Sequence, residues 1–219
     1  KTKLSSISTH LIILGRYCRI WNMRQLKYLQ QLESFHHVPF FTTEEAVKRD
    51  IPRHALAYLV KRGDLERIYP GTYRFLEYEP EVEFQWENLA LVASSIPNGV
   101  ICLISALVYY DLTDQVMREI WIAIPHKSYP PKRPNTKIVR MRNMNLGRID
   151  ISLGEYHVQI FDRERCIVDA FRYLSKEIAI KSIQRYFKNK TYKADPKKIG
   201  AYAKTLRVNI TPYILSYTT

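Results

Sequence analysis

The sequence predicts an α+β protein: a winged helix-turn-helix near the N-terminus, followed by a mixed α/β domain whose end is helical and basic. Three observations predict it. Helix-spaced apolar stripes run straight into a hairpin signal within residues 23–76. Short strand-like runs are then interleaved with apolar helices from residue 84 onward. A stretch dense in lysine closes the chain.

Composition sets the class. The chain has 219 residues, 46% hydrophobic and 25% charged, enough for a sizeable core in one or two domains. Sixteen Tyr and only seven Gly exclude a low-complexity chain. Lys and Arg outnumber Asp and Glu by 34 to 21, a net charge of +13 that points to a polyanionic partner, nucleic acid first. Cys18, Cys102 and Cys166 form no CxxC, and their odd number argues against a disulfide framework, so a reducing cytoplasm is expected. The longest apolar run, Val100–Val108, falls well short of the roughly 20 residues a bilayer needs. Residues 1–22 read as a leader, dispensable to the fold.

From Met23, the stripe Leu26, Leu29, Leu32 and Phe35 predicts a short amphipathic helix. His36 and His37 break it, and with no Cys, Asp or Glu close by they read as loop histidines, not metal ligands. Thr42 with Glu45 three positions on is a capping box opening a second short helix. Asp50-Ile51-Pro52 ends it, and Pro52 suits the first turn of a third helix from Arg53 to Arg62, stopped by Gly63. Leu56, Leu59 and Val60 make that helix's core stripe, with Arg53, His54, Ala57, Tyr58 and Lys61 on the other face. Leu65–Tyr69 and Thr72–Phe75, joined at Pro70-Gly71, predict a hairpin placed as a wing.

A capped helix, a turn, a helix with a cationic outer face and a basic hairpin is the pattern of a duplex-DNA reader. Arg53, His54, Tyr58 and Lys61 are the residues expected in the major groove, with Thr43, Arg62, Arg67 and Arg74 on phosphates. Glu77, Glu79, Glu81 and Glu83 mark a connector, so residues 23–76 and 77–219 are expected as separate domains.

In the second domain, Trp86, Leu89, Ala90, Val92 and Ala93 line one helix, and Val100–Tyr110 reads as a central buried helix. Strands are expected at Glu119–Ile124, Lys137–Arg142 and Tyr156–Phe161, and helices near Arg163–Leu174, Ile178–Lys188 and Pro196–Leu206. Residues 126–142 hold six Lys and Arg and no acid. From residue 176 on, ten cations face only Glu177 and Asp195, a surplus of eight. Lys132, Arg133, Lys181, Arg185, Lys188, Lys197 and Lys198 are therefore candidates for a second surface that meets nucleic acid or a partner.

Four segments together resemble one family. Phe41–Ala46, Arg53–Leu56 with Leu59–Leu65, and Ile68–Tyr73 are similar to the winged head of AbiEi-type antitoxins. Ile104–Leu107 with Asp111–Thr113 resembles that family's central helix, and Asp162–Asp169 the opening of its later helices. Tyr110-Asp111 stands where members often carry His-Gly. The resemblance implies a type IV antitoxin that represses its own operon at promoter inverted repeats. It also implies a nucleotidyltransferase toxin, opposed without a tight complex, and no cofactor. A solitary regulator without a toxin is the alternative.

The other alternative is a winged-helix-fused nuclease, which would need clustered carboxylates beside a lysine. Asp150, Asp162, Glu164 and Asp169 are the candidates, but Asp162 and Glu164 lie two apart, a spacing that does not share a helix face. Asp162 is expected to cap a helix, Glu164 and Arg165 to lie at the surface or in salt bridges, and Asp169 to pair with Arg165. No glycine-rich phosphate loop and no GxSxG is present, so no catalytic residue is assigned.

Overall fold

A computed structural model describes residues 27–218, the side chains through Ser216. The leader, Met23–Leu26 and Cys18 lie outside the described residues. The chain divides at Pro80/Glu81 into two compact units. That division falls within the four-glutamate connector.

In the first unit, helix α1 covers residues 27–32 and tightens into a 3-10 turn at Glu33–Phe35. Strand β1 (Phe41–Thr42), α2 (Thr43–Val47), α3 (Arg53–Arg62), β2 (Leu65–Tyr69) and β3 (Thr72–Phe75) follow. The capping box is present: the Glu45 N–H donates to Thr42 Oγ1 at 3.2 Å, and the Thr42 N–H to Glu45 Oε2 at 2.7 Å. Pro52 sits one place earlier than expected, as the extended N-cap of α3 rather than inside its first turn. Gly63 closes α3 at φ +88°, its N–H donating to the Leu59 and Val60 carbonyls. A side chain at Gly63 would meet nothing within 4 Å, so its requirement is one of backbone conformation alone.

The strands form an antiparallel sheet ordered β1-β3-β2. Leu32, Phe35, Phe41, Ile51, Leu56, Leu59, Leu65, Tyr73 and Phe75 make the core, with the rings of Phe35 and Phe41 stacked 4.6 Å apart. Val60 is only half-buried, while Ala55 is buried in its place. Tyr58, expected on the outer face, packs half-buried against the core.

The second unit carries α4 (Phe84–Ser94), β4 (Val100–Ile101), α5 (Leu103–Tyr109), β5 (Ile120–Pro125), β6 (Thr136–Met141), β7 (Arg148–Leu153) and β8 (Tyr156–Phe161). It ends with α6 (Arg163–Tyr173), α7 (Lys176–Lys188), α8 (Pro196–Leu206) and α9 (Thr211–Thr218). The sheet order is β6-β5-β4-β8-β7, with β6 parallel to β5, β4 parallel to β8, and the other pairs antiparallel.

Here two expectations are corrected, and two elements appear that the sequence did not predict. Val100–Tyr110 is not one helix: β-branched Val100 and Ile101 form the central strand, and α5 starts only after Cys102, with Leu103 at φ +47°. Strand β7 went unforeseen although Ile149, Ile151 and Leu153 alternate with polar residues along it; three apolar positions in six residues are a short signal. Helix α9 went unforeseen too, its apolar residues giving no clear stripe. Trp86 is half-buried, not fully inside.

Asp111 follows α5 at φ +53°, a conformation glycine adopts freely and Asp tolerates better than most residues. The position that departs from the resembling family's His-Gly is therefore one whose backbone favours glycine.

The centre of the unit is ionic. Arg165 is fully buried, and its Nε donates to Asp169 Oδ2 at 2.7 Å. Its other nitrogens donate to the Leu146 and Asn143 carbonyls at 3.1 and 3.2 Å. Arg172 donates to the second Asp169 oxygen at 2.7 Å. The Arg165–Asp169 pair stands as expected, but Arg165 and Glu164 are core residues and not surface ones. Gly147, at φ +70°, admits the chain beneath α6: a Cβ there would lie 2.8 Å from Arg165 Cβ. Removing one member of such a pair strands a buried charge, so Asp169→Ala should cost about 3–5 kcal/mol. Urea unfolding should show that loss, while Glu177→Ala, which breaks an exposed pair with Lys181, should leave the midpoint nearly unchanged.

Candidate nucleic-acid interface

In the first unit the eight candidate residues separate by what already occupies them. Arg53, His54, Lys61 and Arg67 are exposed and form no ion pair among the described residues. Arg53 and His54 open α3, where the helix dipole disfavours positive charge. Helix stability therefore does not account for a cation at Arg53.

The other four have internal partners. Arg62 grips Asp64 with a two-pronged contact, Nε on one carboxylate oxygen and Nη2 on the other at 2.8 Å. The hydrogen bond that Arg62 donates to Asp64 raises the Arg62 pKa still further. Arg74 donates to Glu66 at 3.0 Å across the hairpin. Thr43 clasps the hairpin turn: its N–H and hydroxyl donate to the Gly71 carbonyl at 2.8 and 3.2 Å. Tyr58 serves the core. Sequence alone could have flagged Asp64 and Glu66 as competitors, since each lies within reach of an arginine by two residues or one hairpin rung. Of the two loop histidines, His36 stacks on Phe75, with ring centroids 3.6 Å apart.

The second unit's candidates sort the same way. Lys198 bonds Glu164 at 2.8 Å and Asp162 at 3.0 Å, Lys181 pairs with Glu177 and Asp114, and Arg185 holds Asp111 and the Thr113 carbonyl. Arg133 donates to the Ser95 hydroxyl and carbonyl at 3.0 and 3.1 Å. Lys132, Lys188 and Lys197 are exposed, without an ion pair among the described residues.

Asp162 and Glu164 do converge, contrary to the expectation from their spacing. Asp162 is the extended N-cap of α6 rather than a helical residue, so the two-residue offset no longer separates them. All four carboxylate oxygens are nevertheless engaged. Asp162 accepts the Arg165 N–H on one oxygen and Tyr202 and Lys198 on the other. Glu164 accepts Tyr186 at 2.6 Å and Lys198. Asp150 accepts Gln159 and Asp169 lies in the buried pair, so the four acids do not form one cluster. Among the described residues no group of three His, Cys, Asp or Glu is placed to hold a metal. None of the helices described is long and apolar enough to cross a membrane.

With this geometry in hand, comparison with known proteins is informative. Residues 27–76 match the family model described as "Transcriptional regulator, AbiEi antitoxin". The head resembles the AbiEi antitoxin regulators. The match covers α1 through β3, the unit that holds Arg53, His54, Lys61 and Arg67. A wider likeness joins the chain to the crystal structure of the RV2827C protein from Mycobacterium tuberculosis, with a TM-score of 0.54 at 13% identity. It covers 75% of this chain and 66% of that one, just under two thirds of the longer relative, and shows a shared fold. No curated protein matches the chain.

The Lys198 network makes stability depend on pH at both ends. Burial alone would raise the Glu164 carboxyl, but hydrogen bonds from Lys198 and Tyr186 outweigh it and leave it below the ordinary range. Its contribution is full above about 4.3 and declines as pH falls through the lowered folded value. Burial would lower Lys198, and the two carboxylates reverse that and push it up. Its contribution is full below about 10.4 and declines as pH rises through the raised folded value. A series of urea midpoints from about pH 3 to 11 should fall at both ends, and Glu164→Gln should flatten the acid side.

Proposed function

We propose that the chain is a non-enzymatic, cytoplasmic transcriptional regulator of the antitoxin kind, and that its head is a winged helix-turn-helix reading duplex DNA. The observation that carries this is the outer face of α3, where Arg53 and His54 in the first turn and Lys61 in the last are exposed and form no ion pair among the described residues. Helix-turn-helix proteins contact base edges through the N-terminal residues of their second helix. An arginine there can bind a guanine edge through two hydrogen bonds, and Lys61, about two helical turns further on, can reach another base or a phosphate. Arg67, on the β2 strand of the wing, supplies a phosphate contact.

The family match over residues 27–76 supports the same reading. By that likeness the site is an inverted repeat at the chain's own promoter. The second unit carries the antitoxin role against a nucleotidyltransferase toxin, with no tight complex between the two. Nothing favours the nuclease alternative, because the convergent carboxylates are held by Lys198 and two tyrosines.

Fluorescence anisotropy of the full chain on its upstream promoter and on a scrambled duplex tests this. Specific readers prefer their site by roughly a thousandfold or more. Arg53→Ala should shrink that preference. Arg67→Ala should weaken both duplexes alike and lower the salt slope by about 0.9. Arg74→Ala should do less, since Glu66 already neutralises it. Asp64→Asn should tighten both duplexes by releasing Arg62. Equal binding to both duplexes by the unaltered protein would refute sequence-specific reading.

A further inference from the structure

The helical end holds most of the second unit's lysines, yet much of that charge is spent internally: Lys181, Arg185 and Lys198 all face carboxylates. Lys188 and Lys197 stay free on it, and a second group of free cations lies elsewhere. Strand β6 is an edge strand, hydrogen-bonded to β5 alone, so part of its backbone N–H and C=O groups point outward. Lys137 and Arg140 sit on it, Arg142 directly follows it, and Lys132 belongs to the loop that leads into it. All four are exposed, and none has an ion pair among the described residues. Residues 126–142 hold no acidic residue to offset them.

Two aromatic rings accompany the charge. Lys137 lies over the Trp121 ring at 4.1 Å from its centroid, its register partner on β5. Tyr129, on the loop between β5 and β6, is 89% exposed. Leaving that much ring in water forfeits its burial energy, and Pro130, Pro131 and Pro134 stiffen the loop that displays it.

We propose that this edge is a binding surface for single-stranded nucleic acid, separate from the head and not dependent on how the head is read. Lys137, Arg140 and Arg142 span about 17 Å of extended backbone, Arg140 and Arg142 on one face and Lys137 on the other, and would flank a phosphate chain that follows the edge. Tyr129 supplies a free ring on which one base stacks. A duplex fits this edge less well. Its bases are already stacked on each other, and β6 presents neither a helix nor a two-stranded ribbon to a groove.

The test is anisotropy of the full chain on labelled RNA and DNA single strands of about 12 nucleotides, within the site sizes such surfaces use, against a duplex of unrelated sequence. Tyr129→Ala should weaken single-strand binding about tenfold. Lys137→Gln, Arg140→Gln and Arg142→Gln combined should lower the salt slope by about 2, at roughly 0.7 per lost contact. All these residues are exposed, and unchanged melting of the variants will show that the fold survives. Arg53→Ala with Lys61→Ala should leave single-strand binding intact while promoter binding falls. A preference for RNA, for DNA or for neither identifies which single strand is bound. The proposal is overturned if the head variant binds the unrelated duplex as tightly as the single strands. It is also overturned if the Tyr129 and β6 variants bind like the unaltered chain, or if the head variant abolishes single-strand binding.

Discussion

The head depends on one peptide junction, Thr42–Thr43. Thr42 is at once the last residue of β1, paired with Thr72, and the cap of α2. Thr43 then holds the Gly71 carbonyl through both its N–H and its hydroxyl. Two adjacent residues thus fix the start of a helix, the pairing of a strand and the position of the hairpin turn. A five-residue helix such as α2 would not persist alone, because nucleation costs more than so few hydrogen bonds return. Its stability comes from this junction and from buried Ala46 beneath it. The orientation of α3 and the hairpin, on which any reading of DNA rests, follows from the same contacts.

A net charge of +13 describes neither unit well. Free cations lie on the outer face of α3 with Arg67, along the β6 edge with its loop, and on the helical end, where Lys188 and Lys197 form no ion pair among the described residues. Other positive charge is matched locally by Asp64, Glu66, Asp111, Asp162, Glu164 and Glu177. Such matching matters energetically mainly where it is buried. The exposed pairs contribute little, whereas Arg165 with Asp169 organises the interior of the second unit.

The sequence announced the head almost completely, because its signals are local. The capping box, Gly63 and the hairpin turn each need only neighbours a few residues away. The second unit was less legible. Val100-Ile101 forms a strand because β5 and β8 flank it, and both arrive from 20 to 60 residues later. Strand β7 has an apolar face, Ile149, Ile151 and Leu153, but that face holds only three residues and so gave a weak signal. Site residues obeyed the same rule. Exposure of Arg53, His54 and Lys61 follows from helical periodicity, but the engagement of Lys198 and Arg133 required knowing that residues 34 and 38 positions away would meet them.

The contacts of Arg165 also bear on motion. Residues 142–147 contain little regular structure, and such a segment would ordinarily open and close freely. Here two of its carbonyls accept from Arg165, the Gly147 carbonyl accepts the Asp162 N–H at 2.7 Å, and the Leu146 N–H is satisfied by Asn143. An excursion of this loop would leave two nitrogens of a buried guanidinium without their carbonyl acceptors. Its amide at Leu146 is accordingly tied to the global opening of the unit, and should exchange with solvent about as slowly as the central strands do.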